Sequence, residues 1–280
     1  MPLAVAYPGR DGAHSAAASE RLYPNGAELI PLPTFHAVAE AAASGVVDYG
    51  VLPIESSLAG PVAETHDVLY DFPLSIVAET AIRIRHCLVG IEDVPLEEIR
   101  IVRSHPVALD QCRRLLSAMP WATAIAAGTT ADAARHVAEH GDPSEAAIAS
   151  ERAAQLHGLT VIAGDVGDHP EAYTRFVSVS TYTRIDREAE DWRTAFSFVT
   201  DHSPGALHRA IEPFGRHRID LHQLVSRPIP HTPWRYRFDA VLAGHPLDPL
   251  VRDALAELRA RTRRLHVFGS YPAGRDGDLM

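Results

Sequence analysis

Residues 34–56, TFHAVAEAAASGVVDYGVLPIES, contain a predicted helix that leads directly into a predicted strand. Thr34 is a suitable N-cap for the helix, and Gly45 marks its end. The segment DYGVLPIES (48–56) is predominantly apolar, which favours a buried strand. A helix joined to a buried strand is the repeating unit of an α/β protein.

The same alternation continues on both sides of this unit. Further strands are predicted at LAVAYP (3–8), GAELIPL (26–32), SIVAETAIRIRHCLVG (75–90), IRIVRS (99–104), ATAIAAG (122–128), AAIAS (146–150), TVIAGDV (160–166) and TRFVSVSTY (174–182). One helix is predicted to begin at about Ser15, and another, after DYGVLPIES, to end at Asp71. Three more are predicted over ALDQCRRLLSAM (108–119), from Thr130 and from Ser150. This pattern predicts α/β layers around mostly parallel sheets. Two such sets joined by extended crossings predict a two-lobed, periplasmic-binding-protein-like clamp over residues 1–183.

The pattern changes after residue 183. The charged, aperiodic stretch RIDREAEDWR (184–193) is predicted to be a linker. Residues 194–273 then follow the order βαββαβ, which is that of a ferredoxin-like domain. Ser203 and Pro204 are predicted to be the N-cap and first residue of its first helix. Residues 274–280 are predicted to be a short tail.

Composition excludes several classes of function. The chain has 280 residues and a net charge of −10, so neither nucleic acid nor an anionic membrane is an expected partner. It has no run of eighteen apolar residues, and MPLAVAYPGRDG lacks the pattern of a signal peptide, so we expect a cytoplasmic protein. Its two cysteines are too few for a disulfide framework.

The residue types that are missing limit the chemistry further. The chain has no lysine, which excludes Schiff-base chemistry and a P-loop, and it has one asparagine, Asn25. Its sixteen histidines show neither an HExxH motif nor a Cys/His cluster with ligand spacing. We therefore expect no metal site.

Polar residues follow several predicted strands, where ligands collect in layered α/β proteins. These junctions are the segment from Gly9 to Ser15, Glu55-Ser56-Ser57, Ser104-His105-Pro106, and Thr129-Thr130. Each junction alone could be a helix cap, and Ser104 and Thr130 are suited to that role. Together the junctions predict a pocket for a small carboxylated ligand.

Two further features leave alternatives open. Glu55 follows a buried strand, where a carboxylate is costly unless it is paired or used, so it either forms a salt bridge, for example to Arg175, or has a function. Thr174 and Arg175 precede the half-buried strand that contains Val177 and Val179, and they are either surface residues or part of the chemistry.

The motifs at these positions resemble one family. Y-P-G-x-x-G-A-x-S, L-P-I-E-S-S-x-x-G, S-H-P-x-A-L-x-Q-C, A-A-I-A-S and T-R-F resemble prephenate dehydratase in order and spacing. The segments SPGALHRAIEPFG, LVSRP and GSYP resemble the ACT domain that follows the catalytic part in that family and senses phenylalanine. The likeness extends over about residues 3–272.

The resemblance implies conversion of prephenate to phenylpyruvate without a cofactor, in a cleft between two lobes. It implies catalytic roles for Thr174, Glu55, Ser104 and Gln111, and a carboxylate-binding role for Arg175. With the polar junctions, it predicts a substrate-binding set that also contains Ser56, Ser57, Gly12, Ala13, Ser15, Thr129, Thr130 and Phe176. Phenylalanine is the expected effector, and its site is expected at a subunit interface of a homodimer or homotetramer. That site is predicted to contain Gly205, Ala206, Leu207, Ser226, Arg227 and Pro228.

Three positions depart from the family pattern. Ser56 and Ala172 stand where the family usually has asparagine, and Val225 stands where the ACT motif usually has glutamate. The first two either reflect a composition poor in asparagine or indicate a paralogue with another substrate, such as arogenate, or a role in specialised metabolism. The loss of the glutamate predicts phenylalanine binding about tenfold weaker than the family norm. A non-catalytic amino-acid-sensing protein is the alternative of another class.

Overall fold

The computed structural model describes residues 2–183, 189 and 191–274. The first part of the chain contains β1 (Ala4–Pro8), α1 (His14–Leu22), β2 (Glu28–Leu32), α2 (Phe35–Ala43), β3 (Tyr49–Ser56), β4 (Gly60–Pro61), α3 (Ala63–Asp71) and β5 (Ser75–Arg83). The second part contains β6 (Cys87–Gly90), a 3₁₀ turn (Leu96–Glu98), β7 (Ile101–Ser104), α4 (Pro106–Asp110), α5 (Arg113–Ala118), β8 (Thr123–Ala126), α6 (Thr130–His140), β9 (Glu145–Ala149), α7 (Glu151–His157) and β10 (Thr160–Ala163). The last part contains β11 (Tyr173–Ser180), β12 (Trp192–Val199), α8 (Ala206–Arg216), β13 (Leu221–Pro228), β14 (Tyr236–Ala243), α9 (Pro249–Ala260) and β15 (Arg264–Pro272).

These elements build two α/β lobes. In the first lobe the strands lie in the order β2-β1-β3-β11-β5, and β4 pairs with β3; its helices are α1 to α3. In the second lobe the order is β10-β6-β9-β7-β8, and its helices are α4 to α7. The chain crosses to the second lobe between β5 and β6 and returns between β10 and β11. The two-lobed clamp is therefore present.

The prediction of mostly parallel sheets is wrong, because both sheets are mixed. In the first lobe, β1 is parallel to β2 and β3, whereas β11 is antiparallel to β3 and β5. In the second lobe, β7 is parallel to β8 and β9, whereas β6 is antiparallel to β9 and β10. The crossings explain the difference, since β5 leads out of the first lobe and β11 re-enters it in the opposite direction.

The last part, β12 to β15 with α8 and α9, is called the C-terminal unit below. Its elements follow the predicted βαββαβ order, and its antiparallel sheet has the order β13-β14-β12-β15. Phe196, Phe198 and Phe214 belong to the core between this sheet and its helices. The other face shares a core with the first lobe, to which Phe268 and Tyr271 contribute.

One glycine allows the C-terminal unit to approach the first lobe closely. Gly269 on β15 has a φ of +148°, and a Cβ at this position would lie 2.3 Å from the carbonyl oxygen of Ile76 on β5. Only glycine can occupy this position without displacing one of the two backbones.

Several predicted helix ends differ from the observed ones. Thr34 caps α2 by accepting from the Ala37 amide, as predicted, whereas the caps of α4 and α6 are His105 and Thr129 rather than Ser104 and Thr130. Helix α8 has Gly205 as its N-cap, because Gly205 adopts a φ of +75° and the chain enters the helix two residues after Ser203.

The single helix predicted over residues 108–119 is two helices. Asp168 accepts hydrogen bonds from the backbone amides of Arg113 and Arg114 at 3.0 and 3.1 Å, so its carboxylate caps a new helix there. A side chain from a distant part of the chain therefore sets this break.

The predicted linker and tail lie largely outside the described residues, which omit 184–188, 190 and 275–280. Strand β12 begins at Trp192, two residues before the predicted border at 194. The borders of the domains stay predictions. None of the helices within the described ranges is both long and apolar enough to span a membrane.

Candidate active site

A cleft of about 580 Å³ lies where the two lobes face each other. The first lobe contributes the end of β1, the starts of α1 and α2, part of β3, and β11; the second lobe contributes the loops before α4 and α6. Of the predicted site residues, the cleft is lined by Ala13, Ser15, Ser56, Gln111, Thr129, Thr130, Thr174 and Phe176. Residues that the sequence analysis did not select also line it, notably His14, Thr34, Phe35, Glu64, His86, His105 and Gly128.

Strand β11 directs Thr174 and Phe176 into the cleft. Alternate residues of a strand point to the same face of the sheet, so Thr174 and Phe176 share a face and Arg175 points to the other. Thr174 lies opposite Ser56 of β3 in the strand register, and both line the cleft. In the part of the chain that the structure describes, no protein group is hydrogen-bonded to the Thr174 hydroxyl. This hydroxyl is available to a ligand.

Arg175 and Glu55 lie on the opposite face of the same sheet. The guanidinium Nη1 of Arg175 donates to Oε2 of Glu55 at 2.8 Å, and neither residue lines the cleft. The nearly buried Glu79 of β5 lies 3.9 Å from Arg175 and also pairs with Arg193 of β12. The salt bridge that the sequence left as an alternative is therefore present, and it belongs to a charge network that reaches the C-terminal unit.

Three other predicted residues have local structural partners instead of facing the cleft. Ser104 is fully buried and donates to the carbonyl oxygen of Ile148 at 2.6 Å. The hydroxyl of Ser57 accepts from the Tyr173 amide at 2.9 Å. The carbonyl oxygen of Gly12 accepts from Ser150 at 2.9 Å. These contacts join segments that are far apart in the sequence, and none of the three predicted residues lines the cleft.

The N-termini of helices α1, α2 and α6 converge on the cleft. Their first residues, His14, Phe35 and Thr130, all line it. Helix N-termini carry partial positive charge and unpaired amides, so they bind anions. Helix α1 is the most open of the three, because its N-cap, Ala13, has no side chain that could accept from the first amides.

The cleft has no fixed positive side chain among the residues described as lining it. Its charged member is Glu64, and its other titratable members are His14, His86 and His105. A ligand with carboxylates would therefore be held by amides and hydroxyls rather than by a guanidinium. No group of three metal-ligating side chains occurs in the described ranges.

His14 and His86 are neighbours in the lining of the cleft. Burial, with a smaller effect of His86, lowers the pKa of His14 to about 4, and burial also lowers the pKa of His86. The rings are in an edge-to-face arrangement with centroids 6.3 Å apart. Sequence reasoning missed both residues, although His14 occupies the unspecified position of the Y-P-G-x-x-G-A-x-S motif.

The free energy of unfolding is expected to fall as the pH is lowered from about 6.5 to about 4. In this window the unfolded chain binds a proton at His14 that the folded chain does not bind, so acid favours unfolding. His14→Gln should flatten the pH profile measured by urea denaturation, and the exposed His208→Gln is the control. Equal profiles for the two variants would contradict the neutral state of His14.

The prephenate dehydratase family model matches residues 5–184. The chain belongs to this family. It is 35% identical over 277 residues to arogenate dehydratase/prephenate dehydratase 2 of Arabidopsis thaliana, a match that covers 96% of this chain and 72% of the relative. It is 34% identical to a bifunctional chorismate mutase/prephenate dehydratase of Stutzerimonas stutzeri, with 97% of this chain and 74% of the relative covered. Prephenate dehydratases are lyases that dehydrate and decarboxylate prephenate.

Two solved structures are similar over almost the whole chain. The prephenate dehydratase of Arthrobacter aurescens in complex with L-Phe has a TM-score of 0.89 and 30% identity, covering 97% of this chain and 90% of that one. GqqA, described as a novel type of quorum-quenching acylase, has a TM-score of 0.87 and 31% identity, covering 97% and 98%. Because both matches cover 97% of this chain, the shared fold includes its C-terminal unit as well as its two lobes.

Two of the three residues that depart from the family pattern, Ser56 and Ala172, form hydrogen bonds that indicate their local roles. The Ser56 hydroxyl accepts from the amides of Leu58 and Ala59 at 3.3 and 3.2 Å, so it stabilises the turn after β3 while lining the cleft. Ala172 is only 6% exposed, and its carbonyl oxygen accepts from the Ile84 amide at 2.7 Å. Ser56 can contact a ligand, whereas Ala172 stabilises the crossing between the lobes.

Proposed function

We propose that this protein converts prephenate and one proton to phenylpyruvate, carbon dioxide and water. The observation that carries the proposal is the hydroxyl of Thr174, which has no partner among the described residues and faces a cleft where three helix N-termini converge. In the reaction the bond between the ring and its carboxylate breaks and its electron pair enters the ring. The bond to the ring hydroxyl breaks as the ring becomes aromatic, and the departing hydroxide takes up the proton.

Thr174 is suited to assist the departure of hydroxide. Its hydroxyl does not titrate at physiological pH, so it can donate a hydrogen bond to the leaving oxygen throughout that range. The opposing Ser56 and the apolar ring of Phe176 border the same space. This arrangement supports a ring bound against Phe176 with its hydroxyl directed at Thr174.

The substrate carboxylates are expected at the helix N-termini. Prephenate carries two carboxylates, and the first turns of α1 and α6 offer amides near Ser15 and Thr130. Thr129 already donates to Asp132 at 2.8 Å and accepts from its amide, so Thr129 caps α6, while Thr130 remains available. Binding both carboxylates would fix the pose of the ring.

A turnover assay with two substrates tests the proposal. Prephenate and arogenate are supplied separately at neutral pH, and phenylpyruvate or phenylalanine is measured as product. We expect faster turnover of prephenate. Preference for arogenate would favour an arogenate dehydratase, as several relatives are named, and binding without turnover of either would favour a sensing protein.

An N-acyl amide substrate should be included because GqqA is described as an acylase. Neither cleft-lining serine supports this activity in the present arrangement. The Ser56 hydroxyl accepts from two backbone amides, and among the described residues neither serine hydroxyl is hydrogen-bonded to a histidine. We expect no hydrolysis of the acyl amide.

We also propose that the C-terminal unit is an ACT domain that binds phenylalanine at an interface between two or more copies of the chain. The start of α8 has no side-chain cap, and a cavity of about 350 Å³ beside it is lined by Ala206 together with Asp201, Arg209, Glu212 and Arg261. Uncapped amides of this kind suit an amino-acid carboxylate. Ser226 and Pro228 on β13 are exposed, which leaves them available to a second copy.

Arg227 of the same segment connects the C-terminal unit to the cleft. Its Nη2 lies 2.6 Å from Oδ2 of Asp67 in α3, and Arg237 contacts the other oxygen of this carboxylate at 3.0 Å. Although partial burial opposes ionisation, the two arginines lower the pKa of Asp67. Glu64, in the first turn of the same helix, lines the cleft. Helix α3 is thus a direct connection between the predicted effector segment and the site.

Asp67→Asn is expected to reduce the effect of phenylalanine on kcat/KM about fivefold or more, within the usual range of allosteric coupling. The substitution weakens the ion pairs but keeps the shape of the side chain. Asp71→Asn, at the exposed end of α3, is the matched control and should leave the effect unchanged. Full retention of regulation in Asp67→Asn would contradict coupling through α3.

A further inference from the structure

We infer that His86 is a positioning residue that orients the side-chain amide of Gln111, so that the NH₂ group rather than the carbonyl oxygen faces the cleft. His86 lies on the crossing between the lobes, and its Nε2 is 2.8 Å from Oε1 of Gln111. The inference adds a role for His86 to the proposed function and rests on that function for its kinetic test.

The backbone of both residues is fixed. The carbonyl oxygen of His86 accepts from the Val166 amide at 2.8 Å, which joins the two crossings. Gln111 lies at the break between α4 and α5; its amide donates to Val107, and its carbonyl oxygen accepts from Asp168 at 2.7 Å. The freedom that remains for Gln111 is rotation of its side chain, which His86 can restrict.

The protonation state of His86 determines the direction of the hydrogen bond. His86 is 5% exposed and burial lowers its pKa, so its ring is neutral and carries one N–H group. Its Nδ1 is buried and has no hydrogen-bond partner in the described part of the chain. The side-chain amide oxygen of Gln111 can only accept a hydrogen bond, so its 2.8 Å contact with Nε2 requires the donor to be on the ring. The proton therefore belongs on Nε2, where it is donated to Oε1 of Gln111.

As a consequence, the two N–H donors of the Gln111 side-chain amide have a fixed orientation in the cleft. When Oε1 of Gln111 accepts from His86, the amide nitrogen is directed away from the ring and can donate to an anionic oxygen of a ligand. Without His86 as a partner, the Gln111 side-chain amide could flip and direct its carbonyl oxygen into the cleft, where that oxygen would repel an anion. The described residues that line the cleft include no guanidinium, so we expect the orientation of this amide to have a large effect on anion binding.

The kinetic test is a double-mutant cycle with rescue. His86→Phe keeps a ring but removes the donor, and we expect kcat/KM for prephenate to fall roughly 10- to 100-fold, the range for one hydrogen bond to a charged group. His86→Gln places a donor near the former Nε2 and should recover most of the loss. In a Gln111→Met background, His86→Phe should have no further effect. An undiminished effect in that background, or no rescue by glutamine, would overturn the inference.

A second measurement does not depend on the proposed function. The nitrogen chemical shifts of the His86 ring, recorded on the free full-length protein, distinguish a protonated nitrogen from a bare one. We expect protonation of Nε2 alone at neutral pH. Protonation of Nδ1 would overturn the inference even if prephenate were the substrate, whereas an inactive protein with the expected shifts would overturn the proposed function alone.

Discussion

Thr174→Val is expected to lower kcat for prephenate roughly 10²–10⁴-fold, the range for loss of a positioned proton or transition-state donor. Valine keeps the shape of threonine on β11 but has no hydroxyl. The hydroxyl has no protein partner in the described ranges, so its loss leaves no buried group unsatisfied. The thermal midpoint should therefore remain close to that of the wild type while turnover is lost.

Two companion variants separate chemistry from structure. Thr174→Ser retains the hydroxyl and should keep much more activity than valine, whereas Thr174→Ala should resemble valine. The kcat and the thermal midpoint are measured for each variant. If Thr174 only shapes the end of the strand, all three variants will keep nearly normal turnover and differ in stability alone.

Arg237→Met is expected to destabilise the protein by about 3–5 kcal/mol, the usual cost of leaving a buried charge without its partner. Arg237 is 1% exposed, donates to Asp239 at 3.2 Å and to the carbonyl oxygen of His66 at 2.9 Å, and stacks over Tyr70. Methionine removes this guanidinium from the buried carboxylate of Asp239, which keeps the ring of His66 at 3.2 Å as its remaining partner. The result is measured as a lower thermal midpoint.

The control for this prediction is Arg252→Met, since Arg252 is 64% exposed and pairs with the neighbouring Asp253. A surface change of this kind should alter stability by no more than about 0.5 kcal/mol. The double variant Arg237→Met/Asp239→Leu replaces both charges by apolar groups and should recover part of the loss, because the ring of His66 then loses its contact with Asp239. A cost below about 1 kcal/mol for Arg237→Met would contradict a structural role for the buried pair.

Local patterns predicted much of this molecule. The alternation of strands and helices, the Thr34 cap and the βαββαβ order of the last part all depend on residues close together in the chain, and the structure has them. The alternation of polar and apolar residues along β11 also contained information that the T-R-F motif alone did not. Adjacent residues of a strand point to opposite faces, so Thr174 and Arg175 could have been assigned to different faces before the structure was known.

Features that depend on distant residues could not be predicted from one sequence. Asp168 divides the helix predicted over residues 108–119, and no local pattern in that segment indicates the break. The contact of Arg227 with Asp67 joins residues 160 positions apart.

The positions of side chains in the cleft show the same limit. Ser104 was assigned to the cleft by a motif, but its hydroxyl is buried against Ile148. His86 lies outside the recognised motifs. Its contact with Gln111 depends on how the lobes meet, so it could not be predicted from the local sequence.

The most direct test of the account is the stoichiometry of prephenate consumption by the wild-type protein at neutral pH, with an enzyme-free control. Prephenate, phenylpyruvate and carbon dioxide are measured over the same time course. We predict that one phenylpyruvate and one carbon dioxide form for each prephenate consumed, and that Thr174→Val at equal concentration forms them at least roughly 10² times more slowly. Formation of a non-aromatic product, or equal rates for the two proteins, would contradict the proposal that this cleft dehydrates prephenate through Thr174.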